Sequence, residues 1–159
     1  MSLKQTPLYE MHQKYGGKII DFGGWALPVQ FAGIIKEHHM VRQKAGLFDV
    51  SHMGEISIKG PRALEFTRYL VTNDVKQLKD KQIIYALMCY PDGGVVDDLL
   101  VYKFSDDNIF LVVNAANLDK DFAWIKEHAY PDVEVENLSD HYAQLAVQGP
   151  EAERIMQKI

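Results

Sequence analysis

Apolar residues alternate with polar ones at several places along the chain, and elsewhere they recur every three or four positions. The alternating stretches Glu55-Ile-Ser-Ile-Lys59 and Val133-Glu-Val-Glu-Asn137 predict strands with one buried face. Residues 18–22, 47–50 and 108–114 read as further strands. Ile34, Ile35, His38, Val41 and Ala45 fall on one face of a helix over 34–45, with Lys36, Glu37, Arg42 and Gln43 outward and Gly46 as its stop. A second helix spans about 117–128. Near the start, Thr6 caps and Pro7 opens a short helix that Gly16-Gly17 ends. Gly23-Gly24 then turns into an extended segment over 25–31, in which Trp25 is either a core plug or a stacking surface.

The segment from Tyr85 to Tyr102 departs from this pattern, because Asp97 and Asp98 stand inside Val/Leu strand sequence. Pro91-Asp92-Gly93-Gly94 supplies a hairpin turn, with Pro presetting φ and Asp-Gly allowing a positive φ. Centring the turn on Asp92 and Gly93 sets Leu87 opposite Asp98 and Tyr85 opposite Leu100. Alternate residues share a face, so Tyr85, Leu87, Asp98, Leu100 and Tyr102 lie on one side and Asp97 points to the other. Burying a carboxylate is costly unless it is hydrogen-bonded or lines a wet pocket. The pair therefore either ties the hairpin to nearby backbone or does polar work on a ligand, with Asp98, beside two phenols, the better candidate for the second role.

Two stretches, Ile56-Ser-Ile-Lys-Gly60-Pro61-Arg-Ala-Leu-Glu-Phe66 and Leu145-Ala-Val-Gln-Gly149-Pro150-Glu-Ala-Glu-Arg-Ile155, each run from a strand through Gly-Pro into a helix, with Pro expected at the first helical position. The fold class expected is α+β, an antiparallel sheet with helices on one face and a strand-Gly-Pro-helix unit used twice, the second copy truncated. The expected divisions are 1–50, an α+β subdomain over 51–137 that carries the hairpin, and the start of an incomplete second unit over 138–159. An unpaired strand edge and uncovered apolar surface at that second unit lead to an expectation of self-association.

With 47% apolar and 25% charged residues the 159-residue chain has the composition of a soluble domain, and its net charge of −5 gives no electrostatic footprint for nucleic acid or an anionic membrane. The single cysteine, Cys89, excludes an internal disulfide framework, and no apolar run is long enough to span a bilayer. The N-terminal residues lack the pattern of a signal or transit peptide, which makes the cytoplasm the expected compartment.

Several chemistries are excluded by spacing. His38 and His39 point about 100° apart on a helix with no third ligand following, so no metal site is expected. Asp49, Ser51 and His52 are too close in sequence to line up as orienter, nucleophile and base, and no Gly-x-Ser-x-Gly elbow exists. The Gly93-Gly94 turn leads into a strand without Lys-Ser/Thr, so it is not a phosphate loop; Asp21-Phe22-Gly23 lacks every companion motif of a kinase.

Thr6-Pro-Leu-Tyr9, Phe22-Gly-Gly-Trp-Ala-Leu-Pro-Val-Gln30, Leu47-Phe-Asp-Val-Ser-His-Met-Gly-Glu55, Gly93-Gly-Val-Val-Asp-Asp-Leu99 and Gln148-Gly-Pro150 occur in register over the whole chain. In these motifs it resembles the aminomethyltransferase (T-protein) family of the glycine cleavage system, whose members are more than twice as long, so that the chain looks like an N-terminal portion and 1–50 like the start of a folate-binding region. The resemblance implies transfer of an aminomethyl group from the lipoyl arm of an H-protein to tetrahydrofolate as co-substrate, with release of ammonia. It implies a catalytic role for Asp98 near the folate N10, and folate contacts from Met53, Tyr85, Asp98, Tyr102 and Asn114. For Asn114, a simple four-residue turn over 105–108 pairs it with Leu99, on the wrong face from Asp98; a bulge, or action from beyond the strand end, is then required. Folate contacts further along the family sequence are absent here, which implies an unfinished site and an inactive chain. Alternatives are a non-catalytic folate-binding protein of the same superfamily, the folate-handling module of a sarcosine or dimethylglycine oxidoreductase, and, outside the resemblance, a structural module without a ligand.

Overall fold

The computed structural model describes residues 2–159. In chain order its elements are α1 (Tyr9–Lys14), β1 (Ile19–Phe22), β2 (Trp25–Pro28), α2 (Ile34–Gln43), β3 (Gly46–Asp49), β4 (Gly54–Lys59), α3 (Ala63–Leu70), β5 (Gln82–Cys89), β6 (Val95–Ser105), β7 (Asn108–Val113), α4 (Leu118–Glu127), β8 (Glu134–Asn137), β9 (Leu145–Gln148) and α5 (Ala152–Met156). They fall into two compact units, one of residues up to His52 together with Ala143–Ile159, the other of Met53–Tyr142.

The Met53–Tyr142 unit is an antiparallel sheet in the order β5-β6-β7-β4-β8. Its inner face carries Ile56, Ile58, Leu99, Val101, Ile109, Leu111 and Val113, which pack with Phe66 and Leu70 of α3 and Ile125 of α4 into one buried cluster. Each such side chain withdrawn from water contributes about 1.5–3 kcal/mol, so this face, rather than any single contact, holds the unit together. Both helices lie on that face. The other face carries Tyr85, Leu87, Asp98, Leu100, Tyr102 and Phe110, all exposed or half-buried.

Two bulges set the sheet's register. At the β5-β6 hairpin the connection is not the two-residue turn the sequence suggests. The Tyr90 N–H donates to the Gly94 carbonyl oxygen (2.7 Å), leaving Pro91-Asp92-Gly93 as a three-residue loop with Gly93 at φ 87°. The Asp92 carboxylate fixes the loop by accepting from the Gly94 N–H at 2.9 Å. Cys89 then faces Val95 while Met88 faces Asp97, so Val96 is an extra residue on β6. The longer loop and the bulge offset one another, and Leu87↔Asp98 and Tyr85↔Leu100 are the pairs observed.

A second bulge lies between Lys103 and Ser105 at the β6-β7 turn. Beyond it Leu100 faces Val112, so continuing the register sets Asn114 opposite Asp98 rather than opposite Leu99. Asn114 also lies one residue past the end of β7. The pairing with Leu99 expected from a simple turn is thus corrected by the extra residue, Phe104.

The other unit holds two small ribbons, β1-β2 and β3-β9, both antiparallel. The two strand-Gly-Pro-helix stretches share a local device: Gly60 and Gly149 take φ 131° and 125°, where a Cβ would also collide with the carbonyl oxygen of Asp132 or Lys44. Bonds from Ala63 N to Gly60 O and from Ala152 N to Gly149 O close a turn across each proline, so Pro61 and Pro150 precede their helices instead of opening them.

Two further expectations are corrected in this unit. Thr6 does not cap α1; its hydroxyl donates to Asp49 Oδ2 at 2.6 Å, a stronger, charge-assisted bond. The apolar stripe of α2 is not buried: Ile34 and Ile35 are 60% and 73% exposed, because an amphipathic pattern needs a packing partner and within its own unit α2 meets chiefly β3.

Candidate active site

The face of the five-stranded sheet opposite the helices gathers the polar side chains singled out from sequence. Tyr85 projects from β5 and its hydroxyl donates to Asp98 Oδ2 on β6. The bond to the Asp98 carboxylate, with lesser help from desolvation, raises the Tyr85 pKa above its ordinary value and keeps the phenol protonated. Asp98 Oδ1 accepts from Asn114 Nδ2 at 3.2 Å, and the same amide nitrogen reaches the Asp98 carbonyl oxygen at 2.9 Å. Both carboxylate oxygens are therefore oriented, yet the group remains half-buried and open to a ligand.

Tyr102 lies two residues along β6 from Leu100 and meets Phe110 edge-on with ring centroids 6.2 Å apart; Phe110 in turn meets Tyr142 at 5.3 Å. The result is an aromatic rim beside Asp98. Met53, half-buried, immediately precedes β4; with Gly54 opposite Val113, continuation of the register sets Met53 opposite Asn114. Leu87, Asp98, Asn114 and Met53 thus form one row across four strands.

Asp97, one residue away, has the opposite environment. It is 4% exposed and accepts from Asn114 N (3.1 Å), Asn114 Nδ2 (3.0 Å) and Asn117 Nδ2 (2.7 Å). Burial pushes its pKa up, but hydrogen bonds from Asp121, Asn114 and Asn117 outweigh this and leave it below the usual carboxylate range. Asp121, on the first turns of α4, is fully buried, and burial together with the neighbouring Asp97 pushes it up to about 8.

Glu55 was not singled out as a site residue from sequence. It is 2% exposed, both carboxyl oxygens are without a hydrogen-bond partner among the described residues, and burial pushes its pKa up to about 7. It faces Val112, which faces Leu100, so it belongs to the same face as Asp98. A signal was present: in Glu55-Ile-Ser-Ile-Lys59 the acid shares the parity of Ser57, opposite the core residues Ile56 and Ile58.

In the other unit Asp49 accepts from Thr6 Oγ1, from the Ser51 N–H at 3.0 Å and is bonded to His12 Nε2 at 2.8 Å. Burial raises its pKa, but these bonds prevail and lower it. Ser51 Oγ bonds to the Gln144 backbone, accepting from N at 3.0 Å and donating to O at 3.3 Å, while the His52 ring meets Phe22 and Trp25 edge-on. Asp49, Ser51 and His52 thus tie segments together and form no nucleophile-base relay. Among the described residues no group of three His, Cys, Asp or Glu is arranged to hold a metal ion, and no helix is long and apolar enough to cross a membrane.

The model of the GCVT N-terminal domain matches residues 8–159. The chain belongs to that family. It is 60% identical to an aminomethyltransferase of Thermoanaerobacter sp. (strain X514), covering 99% of this chain and 43% of the relative, and 59% identical to one of Alkaliphilus metalliredigens (strain QYMF), covering 98% and 42%. Among solved structures it resembles the glycine cleavage system aminomethyltransferase T from Bartonella henselae, with a TM-score of 0.91 and 38% identity over 99% of this chain and 44% of the other. This family member thus spans less than half the length of these aminomethyltransferases, and its α+β architecture matches that of the Bartonella structure over the aligned part.

Proposed function

We propose that this chain carries the folate-handling face of an aminomethyltransferase of glycine cleavage, which moves an aminomethyl group from the lipoyl arm of an H-protein to tetrahydrofolate with release of ammonia. The observation that carries this reading is the placement of Asp98: a half-buried carboxylate, oriented by Tyr85 and Asn114, on the sheet face opposite the helices. Family membership and the names of the relatives agree with it.

The chemistry asked of the chain is positioning and electrostatics. The two nitrogens of tetrahydrofolate take up the carbon as a methylene bridge while its C–S and C–N bonds break, their protons passing to the lipoyl sulfur, left as dihydrolipoyl, and to the departing ammonia; one of them, N10, is the nucleophile the chain positions. The Asp98 carboxylate orients that nitrogen, accepts its proton and stabilises positive charge at the carbon as ammonia departs; a positioned base of this kind is worth about 10²–10⁴-fold. Asn114 keeps the carboxylate plane fixed, Tyr85 and Tyr102 flank the flat rings of the co-substrate, and Met53 closes the row beyond Asn114. The compartment proposed is the cytoplasm.

The test is an aminomethyl-transfer assay with lipoyl-bearing H-protein and tetrahydrofolate, run on a chimera in which this chain replaces the matching segment of the Thermoanaerobacter relative. Transfer that requires tetrahydrofolate is expected. Saturable tetrahydrofolate binding by a folded chimera that performs no transfer would favour the non-catalytic alternative, and absence of both would overturn the reading.

A further inference from the structure

Asp121 is buried completely, yet neither carboxyl oxygen has an N–H or hydroxyl donor among the described residues. Its backbone N–H is used within the helix start, donating to Asn117 O at 2.8 Å. Lys120 Nζ stands 3.7 Å from Asp121 Oδ1, an ion-pair distance, but donates to the Val96 carbonyl oxygen. Asn117 brings Asp121 to Asp97: its backbone oxygen accepts the Asp121 N–H and its Nδ2 donates to Asp97 Oδ1 at 2.7 Å, and the perturbation of each acid by the other agrees with their carboxyls being neighbours. Two ionised carboxylates cannot hydrogen-bond and repel strongly when desolvated; with one proton between them they make a short, charge-assisted bond. Asp97 already accepts three N–H groups, so it is the ionised member, and Asp121 carries the proton.

We propose that Asp121 is a positioning residue for Asp98: it donates a hydrogen bond to Asp97, and Asp97 thereby holds the Asn114 amide that orients the Asp98 carboxylate. The relay is continuous from Asp97 to Asp98. Asn114 Nδ2 lies 3.0 Å from Asp97 Oδ1 and 3.2 Å from Asp98 Oδ1, so one amide nitrogen serves both acids. The titratable and charged groups around it are Asp97 and Asp98 on β6, Tyr85 on β5 and Lys120 on α4. Of these only Lys120 favours an ionised Asp121, and burial and Asp97 outweigh it. Ionising Asp121 removes the donor and adds a second negative charge, which loosens the Asn114 amide and changes the setting of Asp98. The link to catalysis rests on the function proposed above; the relay does not.

The experiment is an NMR titration of this chain without ligand, following the carboxyl carbons of Asp97, Asp98 and Asp121 and the side-chain amide of Asn114. Asp121 is expected to titrate well above ordinary carboxylates, with the Asn114 amide and the Asp98 carboxyl carbon shifting at the same midpoint. Asp121→Asn, which keeps an N–H donor, should abolish that titration and leave Asn114 protected, whereas Asp121→Ala should speed exchange of its amide by about tenfold or more. An Asp121 that titrates as an ordinary carboxylate, an Asp98 signal indifferent to it, or equal release of Asn114 in both variants would overturn the proposal. The wild-type titration decides the matter even if Asp121→Ala fails to fold. Because no folate is present, loss of the relay and loss of the folate reading are separate results.

Discussion

Asp97 and Asp98 are neighbours in sequence and share a chemistry, but the two faces of one sheet give them opposite work. On the inner face Asp97 is enclosed, accepts three hydrogen bonds from Asn114 and Asn117, and joins β6 to the start of α4. On the outer face Asp98 is held by one phenol and one amide and keeps a side open. The difference teaches that strand parity, not residue type, separates a structural acid from a candidate catalytic one. Parity here depends on two inserted residues, Val96 and Phe104.

The largest effect expected from that contrast is on stability. Asp97→Ala strands the N–H groups of Asn114 and Asn117 in the interior and should cost about 3 kcal/mol or more. Asp98→Ala should stay within about 1 kcal/mol, since Tyr85 is exposed to water and the Asn114 amide keeps Asp97 as its acceptor. Urea unfolding of both variants makes the comparison, and equal costs would break it.

The pH dependence sharpens it further. Glu55 and Asp121 bind protons more tightly in the folded chain, so the stability they contribute is complete below the ordinary carboxylate range and is lost as pH rises to about 7 and about 8. For Glu55 the shift from 4.5 to about 7 corresponds to as much as roughly 3 kcal/mol. Asp97 and Asp49 run the other way: their pKa values are lowered, and their contribution is lost as pH falls below the ordinary range. Denaturation midpoints should therefore decline between pH 5 and 8, and Glu55→Gln should flatten the part below about 7. A decline that survives both Glu55→Gln and Asp121→Asn would contradict the assignment.

A smaller effect is expected on ligand affinity. Tyr85→Ala or Tyr102→Ala should weaken tetrahydrofolate binding by about 1–3 kcal/mol, as measured by calorimetry on the chimera, with little change in stability for the exposed Tyr85. Unchanged affinity in both would remove the aromatic rim from the site.

Much of this sheet was legible in the chain. Alternation marked the strands, the Asp-Gly turn marked the hairpin, and the pairs Leu87↔Asp98 and Tyr85↔Leu100 followed. That register came out despite a wrong turn, because the three-residue loop and the extra Val96 offset each other; nothing local announces a bulge. For Asn114 a simple turn gave the wrong face, and the bulge that its place in the site required is present at Phe104. Thr6 and the stripe of α2 failed for a related reason: capping and amphipathic rules describe a helix alone, while Asp49 and the missing neighbour of Ile34 and Ile35 are tertiary facts. The face of Glu55 could be read from its parity with Ser57, but its burial and that of Asp121 could not, because burial is not written at a single position.

The most direct measurement compares Asp97→Asn with Asp98→Asn in the chimera, following both transfer rate and unfolding. If the outer face does the chemistry, Asp98→Asn should lower turnover by at least about a hundredfold with its unfolding midpoint nearly unchanged. Asp97→Asn should lower stability, with turnover of the folded protein reduced by less than about tenfold. Equal losses of turnover at equal stability would contradict the assignment of the two aspartates to structure and catalysis.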